Sequence, residues 1–262
     1  MSRAPRCALV TGATSGVGEA AAVALAEAGI PRIIVSGRDA PRAEKVCARL
    51  GGLGVEAHAV LGDLRDDAVA EAIFGEIDDR GLLADALVNA GGTTKRASVL
   101  DCDAATFDEL FAVNVRAPML LCGRFAERLR SAGAPGTVVN VVSLAAYGGA
   151  PAISVYAMTK AALAIQTRNA AAALRNDKIR VNGLNMGWTL TPGEDDVMRD
   201  SHNYGPGWES EFRDMLPLGR LLRPAEVGRA IRFLATDASA PMTGSILDFD
   251  QVPYGIADWP PG

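Results

Sequence analysis

Thr11-Gly12-Ala13-Thr14-Ser15-Gly16-Val17-Gly18 follows a short apolar run at residues 8–10 and leads into an Ala-rich stretch of helical spacing at 17–28. Glycines serve where the backbone must turn tightly, approach a pyrophosphate, or let a helix pack close to a strand. The helix start behind them offers unpaired N–H groups and the positive end of a dipole to that phosphate. A glycine-rich turn by itself marks only a connection. Its place in the first βα turn of a βαβ pattern makes it a dinucleotide site. Gly12, Thr14, Ser15, Gly16, Val17 and Gly18 are the candidate contacts.

Outward from this turn the same rhythm repeats. Strands are expected at 8–10, 33–35, 55–60, 86–88, 137–142, 180–184 and 245–249, and helices at 17–28, 40–50, 67–80, 104–131, 155–176 and 224–235. Alternating strands and helices argue for an α/β fold whose parallel sheet is wrapped on both faces. Right-handed crossovers make it doubly wound, with ligands at the carboxyl ends of the strands. There is no repeat, linker or low-complexity segment, so residues 1–262 are expected to form one domain. The stretch 191–216, rich in Gly, Pro and charge, is too long for an ordinary connection and is expected to be an irregular substrate lid.

The composition narrows the function. With 262 residues, 49% of them hydrophobic, the chain can bury one large core. A formal net charge of −5 argues against nucleic acid or an anionic membrane surface as the main partner. No apolar run reaches the roughly 18 residues of a membrane span, and the opening MSRAPRCALV lacks the apolar core of a signal peptide. Cys7, Cys47, Cys102 and Cys122 have no metal-ligand spacing and read as small core residues of a cytoplasmic protein. His58 and His202 are the only histidines, which disfavours a His-based metal site or a Ser-His-Asp triad; no metal is expected.

At the end of the second strand an NAD site would carry an acid facing the ribose 2′-hydroxyl. Here Gly37 stands in that place and Arg38 follows. A guanidinium forms bidentate, charge-assisted bonds with a 2′-phosphate, so NADP(H) is preferred and NAD(H) is the alternative. Asp39 reads as the cap of the next helix, or else as a residue that reaches the ribose itself.

Tyr156 and Lys160 lie four apart, on one face of the helix expected at 155–176. A nearby cation favours phenolate and pulls a tyrosine pKa down from about 10. A phenol tuned in this way trades protons near neutral pH, as an alcohol–carbonyl interconversion requires. Ser143, at a strand end, is a hydrogen-bond partner for the same substrate oxygen.

In this order, the motifs resemble those of the short-chain dehydrogenase/reductase family over nearly the whole chain. The match runs from the turn at 11–18 through Asp63-Leu64, Asn89-Ala90-Gly91, Asn114, Ser143, Tyr156 and Lys160 to Gly187 through Thr191, and on to Thr243-Gly244. The resemblance implies a Rossmann-type α/β domain with a mostly parallel seven-stranded sheet. It implies Tyr156 as general acid/base, Lys160 on the nicotinamide ribose, Ser143 on the substrate oxygen, and Asn114 holding a water of a proton relay. It also implies Asp63 and Leu64 at the adenine, Asn89, Ala90 and Gly91 along the adenosine ribose and bracing the sheet, and Gly187, Thr189 and Thr191 at the nicotinamide.

The family pattern is broken in two places. Met186 replaces a proline before Gly187, and Phe249-Asp250-Gln251-Val252 replaces the usual Val-Asp-Gly-Gly, which redirects the tail. The polar 191–216 stretch suits a sugar or polyol as small-molecule substrate. A 3-oxoacyl-acyl-carrier-protein reductase is one rival, and it would need a basic docking patch. A non-catalytic dinucleotide-binding sensor or scaffold is the other. Relatives pair the long helices between subunits, so a homotetramer is expected, or a homodimer.

Overall fold

The computed structural model describes residues 5–252. Its strands are β1 (Cys7–Thr11), β2 (Arg32–Gly37), β3 (Glu56–Leu61), β4 (Ala86–Asn89), β5 (Gly136–Val141), β6 (Ile179–Met186) and β7 (Ile246–Phe249). Its α-helices are α1 (Gly16–Glu27), α2 (Ala40–Gly51), α3 (Val69–Asp79), α4 (Ala104–Phe111), α5 (Ala117–Ala132), α6 (Ser154–Leu174), α7 (Pro192–His202) and α8 (Pro224–Ala235). One sheet holds the strands in the order β3-β2-β1-β4-β5-β6-β7, and every neighbouring pair is parallel. This is the expected doubly wound Rossmann-type fold. Among the described residues, no helix is long and apolar enough to cross a membrane.

Side chains alternate across the sheet because successive residues of a strand point to opposite faces. From β1, Ala8 and Val10 enter the layer covered by α1, α2 and α8. Cys7 and Leu9 enter the layer covered by α3, α5 and α6. A buried sheet must be apolar on both faces, which is why its strands read as Val, Ile and Leu runs. From β1 the chain winds outward to β2 and β3, then returns to lay β4 on the other side of β1. That reversal opens a crevice at the strand ends between β1 and β4.

Two expectations need correction. The helix expected at 104–131 is interrupted: residues Ala112–Arg116 form a single π-helical turn between α4 and α5. Such turns cluster at functional sites, and this one carries Asn114. The 191–216 stretch is not irregular either. Thr191 caps α7 with Pro192 in its first turn, and α7 ends at Asn203 in the left-handed region (φ 58°). A 3₁₀ segment, Trp208–Met215, follows. Trp188 stacks on Trp208 at 5.5 Å and meets Phe212 edge-on at 4.7 Å, which gives the segment a small apolar core of its own. The side chain of His202 and the chain beyond 252 lie outside the described residues. At the tail, Gln251 accepts from the Leu218 N–H and donates to the Arg220 carbonyl, each at 2.8 Å, tying the chain end to the segment after Met215.

Candidate active site

The glycine turn interlocks with its neighbours. Gly12 is left-handed (φ +64°), and a Cβ there would stand 2.6 Å from the Cα of Gly91. A Cβ on Gly18 would meet the Gly12 carbonyl oxygen at 2.2 Å. Thr11 Oγ1 accepts from the Gly91 N–H at 3.2 Å, which pins the end of β4 against the turn. The crevice has a volume of about 1140 Å³, more than the roughly 300–1,000 Å³ of a drug-sized pocket. A cradle with no room for a Cβ at Gly12 or Gly18, opening on this volume at a helix N-terminus, fits a dinucleotide. Gly18→Ala is expected to destabilise the fold by about 1–3 kcal/mol through overpacking against backbone and to weaken cofactor binding. Denaturant midpoints and a cofactor titration check both.

At the far end of the crevice Gly37 packs so close to Thr14 that a Cβ would lie 2.5 Å from the Thr14 methyl group. The acid of an NAD site has no room there. Asp39 is spent as the cap of α2, accepting from the Arg42 N–H at 2.9 Å. Arg38 is exposed and lines the crevice. Asp63 also lines it, but Arg65 grips its carboxylate, with Nη2 at 2.5 Å and Nε at 3.1 Å. That contact holds the Asp63 carboxyl below its ordinary range. Arg65 is a second crevice guanidinium, two residues past Asp63, that the sequence reading passed over.

Leu64, Ala90, Gly91, Gly187, Thr189 and Thr191 line the crevice as expected. Asn89 is different. It pairs in register with Asn140 of β5, and its amide donates to Asn140 Oδ1 at 2.8 Å. Asn140 in turn donates to Thr167 Oγ1 on α6 at 2.8 Å. Asn89 therefore braces the sheet, one half of its expected role, with its amide turned toward β5.

The chemical end is built by the end of β5 and the start of α6. Ser143 caps the short turn Leu144–Tyr147, its Oγ accepting from the Ala145 N–H at 3.2 Å. The hydroxyls of Ser143 and Thr94 act on the Tyr156 phenol and pull it down. Lys160 is buried, donates from Nζ to the Val141 carbonyl at 2.9 Å, and sits 5.6 Å from the centroid of the Tyr156 ring. Burial pushes the Lys160 ammonium down to about 8. Burial also pushes the Tyr156 phenol up, the two hydroxyls oppose that, and the Glu194 charge adds to the rise. The expected lowering by Lys160 is thus not what this geometry gives: burial outweighs it, and the opposing pull comes from hydroxyls.

Asn114, fully buried in the π turn, does not reach the crevice wall. Its Nδ2 donates to the Thr93 carbonyl at 2.9 Å and to Thr159 Oγ1 at 3.0 Å, and its Oδ1 accepts from the Thr93 N–H at 3.0 Å. It fixes the Thr93-Thr94 segment behind Lys160. Thr94 is the residue whose role at the phenol had no sequence signal beyond its place after Asn89-Ala90-Gly91.

A family model described as enoyl-(acyl carrier protein) reductase matches residues 12–251. Over 248 residues the chain is 35% identical to cis-4-hydroxycyclohexanecarboxylate dehydrogenase of Sinomonas cyclohexanicum, covering 94% of this chain and 96% of that one. The chain belongs to the short-chain dehydrogenase/reductase family. Another member, L-xylulose reductase of Bos taurus, is 33% identical over 256 residues, with 94% and 96% of the two chains covered. The crystal structure of L-sorbose reductase from Gluconobacter frateurii, complexed with NADPH and L-sorbose, matches with a TM-score of 0.87 at 25% identity over 94% of this chain and 95% of that one. This short-chain dehydrogenase/reductase is accordingly an oxidoreductase acting on alcohol and ketone groups.

Proposed function

We propose that this short-chain dehydrogenase/reductase interconverts a secondary alcohol and its ketone, preferring NADP(H) to NAD(H), on a substrate of the sugar or polyol kind. The observation that carries the reading is that Thr94, Ser143, Tyr156 and Lys160 line the same crevice as the glycine turn. A bound nicotinamide supplies or accepts the hydride. In the reductive direction Tyr156 donates its proton to the oxygen that gains charge, and Ser143 orients and stabilises that oxygen. A phenol held above its ordinary range keeps its proton at neutral pH, which suits the donor role. Lys160 presents a buried cation beside the phenol. Asn114 holds the wall behind both and serves the proton path.

Arg38 and the filled space at Gly37 support NADP(H), as does the NADPH of the sorbose reductase. Arg38→Leu is expected to weaken NADPH binding about 10–100-fold, the worth of one charge-assisted contact, and to leave NADH binding little changed. Paired titrations check it; equal loss for both cofactors would remove Arg38 from the 2′-phosphate. For the substrate, the sugar-named relatives support a polyol. The description of the family model favours an acyl thioester as the second reading. A panel of sugars, polyols, cyclic ketones and acyl thioesters separates them.

A homotetramer, with a homodimer as the simpler form, accounts for the apolar Met119, Met158 and Ile165 exposed on α5 and α6; light scattering reads the mass. Four free thiols suit a cytoplasmic setting.

A further inference from the structure

Sorting the charges of residues 191–216 by where they point leaves one against the crevice. Asp195 accepts from the Trp208 indole at 3.0 Å and pairs with Arg199 at 2.6 Å, and Asp196 faces the same guanidinium at 3.6 Å. Glu194 alone among the segment's charged side chains that are described lines the crevice. It is the third residue of a Thr-x-x-Glu helix start, where a glutamate ordinarily reaches back to the capping residue. Here its Oε1 accepts from Trp188 Nε1 at 2.6 Å. Trp188 is in turn locked by its contacts with Trp208 and Phe212. The carboxylate is therefore half-buried, held by an indole at Oε1, and lines the crevice with acceptor capacity to spare at Oε2.

We infer that Glu194, aimed by Trp188, is the specificity-determining residue of the substrate pocket: it accepts a hydroxyl of a neutral polyhydroxylated substrate and repels a substrate carrying a carboxylate near the reacting carbon. The inference rests on the alcohol–ketone activity proposed above and names its substrate class. A fixed carboxylate with spare acceptor capacity is matched by a donor such as a sugar hydroxyl and mismatched by an anion, with which it has no proton to share. Like charges at this range in a partly desolvated pocket discriminate strongly. Arg96 also lines the crevice; of the two, Glu194 is the one whose charge acts on the phenol of Tyr156. The discriminating charge therefore lies at the reacting end.

The test uses two probes that share a ring and a ketone and differ at one substituent, a neutral hydroxyl donor in 4-(hydroxymethyl)cyclohexanone and an anion in 4-oxocyclohexanecarboxylate. The wild type is expected to favour the neutral probe in kcat/KM by about tenfold or more. Glu194→Gln keeps an acceptor for Trp188 and is expected to bring the ratio close to one, chiefly through KM. Glu194→Asp keeps the charge and should keep a preference. A wild type that favours the carboxylate, or a ratio that Glu194→Gln leaves unchanged, overturns the inference. If the wild type reduces neither probe, the activity reading suffers instead, and the ratio of the two probes' binding constants to the enzyme–NADPH complex, by calorimetry, decides the role of Glu194 in the same way.

Discussion

Tyr156→Phe is expected to lower turnover by about 10²–10⁴-fold, the usual worth of a positioned acid or base, while dinucleotide binding and the thermal midpoint stay near those of the wild type. The phenyl ring keeps the packing, and the glycine turn that holds the dinucleotide lies in a different part of the crevice. No neighbour can stand in for the lost proton. The Lys160 ammonium is directed at the Val141 carbonyl, and the Ser143 hydroxyl, which can still donate a hydrogen bond, is a far weaker acid than a phenol. The pH profile supplies a second readout. The groups facing the phenol are Lys160 from its own helix, Ser143 and Thr94 as hydroxyls, and Glu194 from α7. Burial sets the phenol above its ordinary range, so reduction should stay level through neutral pH and fall only on the alkaline side, where the proton is lost. Oxidation, which needs the phenolate, should rise in that same range. A Tyr156→Phe variant that turns over like the wild type would remove Tyr156 as the acid, whereas dinucleotide binding with no turnover in either protein would fit a sensor.

The parts of this enzyme that were legible in the sequence are those fixed by local backbone demands. Gly12 and Gly18 must be small because Gly91 and the turn's own carbonyl leave no room, and that demand shows directly as glycine. Tyr156 and Lys160 share a helix face by spacing alone. What escaped depends on contacts between distant segments. Asn89 and Asn140 meet because β4 and β5 register as they do, and the sequence of either strand says nothing of the other's polar residue. The π turn at 112–116 carries Val113, Asn114 and Val115, weak helix formers, but weak propensity alone does not distinguish a widened turn from an ordinary one. The α7 helix was a different kind of miss: Thr191-Pro192 with Glu194 three residues after Thr191 is a helix-start signal, hidden by reading the segment's charge and glycine content as disorder of pattern. Once α7 is seen as a helix, its charges acquire directions, and only Glu194 points inward.

Lys160 offers the sharpest conflict between folding and chemistry. Its ammonium is taken out of water with a single carbonyl as its recorded acceptor, and burial drops its pKa to about 8, against about 10.4 in an unfolded chain. A base whose pKa is depressed by folding costs stability while protonated. The cost is full below the folded value and is relieved as pH rises toward the unfolded one, since between the two the unfolded chain binds more protons. At neutral pH it is on the order of 3 kcal/mol, taking about 1.4 kcal/mol per unit. Lys160→Met fills the same volume without charge and forfeits the bond to Val141, worth about 1 kcal/mol. The variant without cofactor is therefore expected to melt roughly 2–6 °C higher than the wild type at pH 7, with the gap narrowing from about pH 8 to about pH 10 as the wild type sheds its proton. Turnover should move the opposite way and be largely lost, because the phenol then faces an apolar chain where it had a cation. Thermal scans at several pH values, beside kcat, read both halves. A variant that melts lower than the wild type at pH 7 would mean that the contacts of the ammonium outweigh its desolvation, and that Lys160 holds the fold together as well as serving the site.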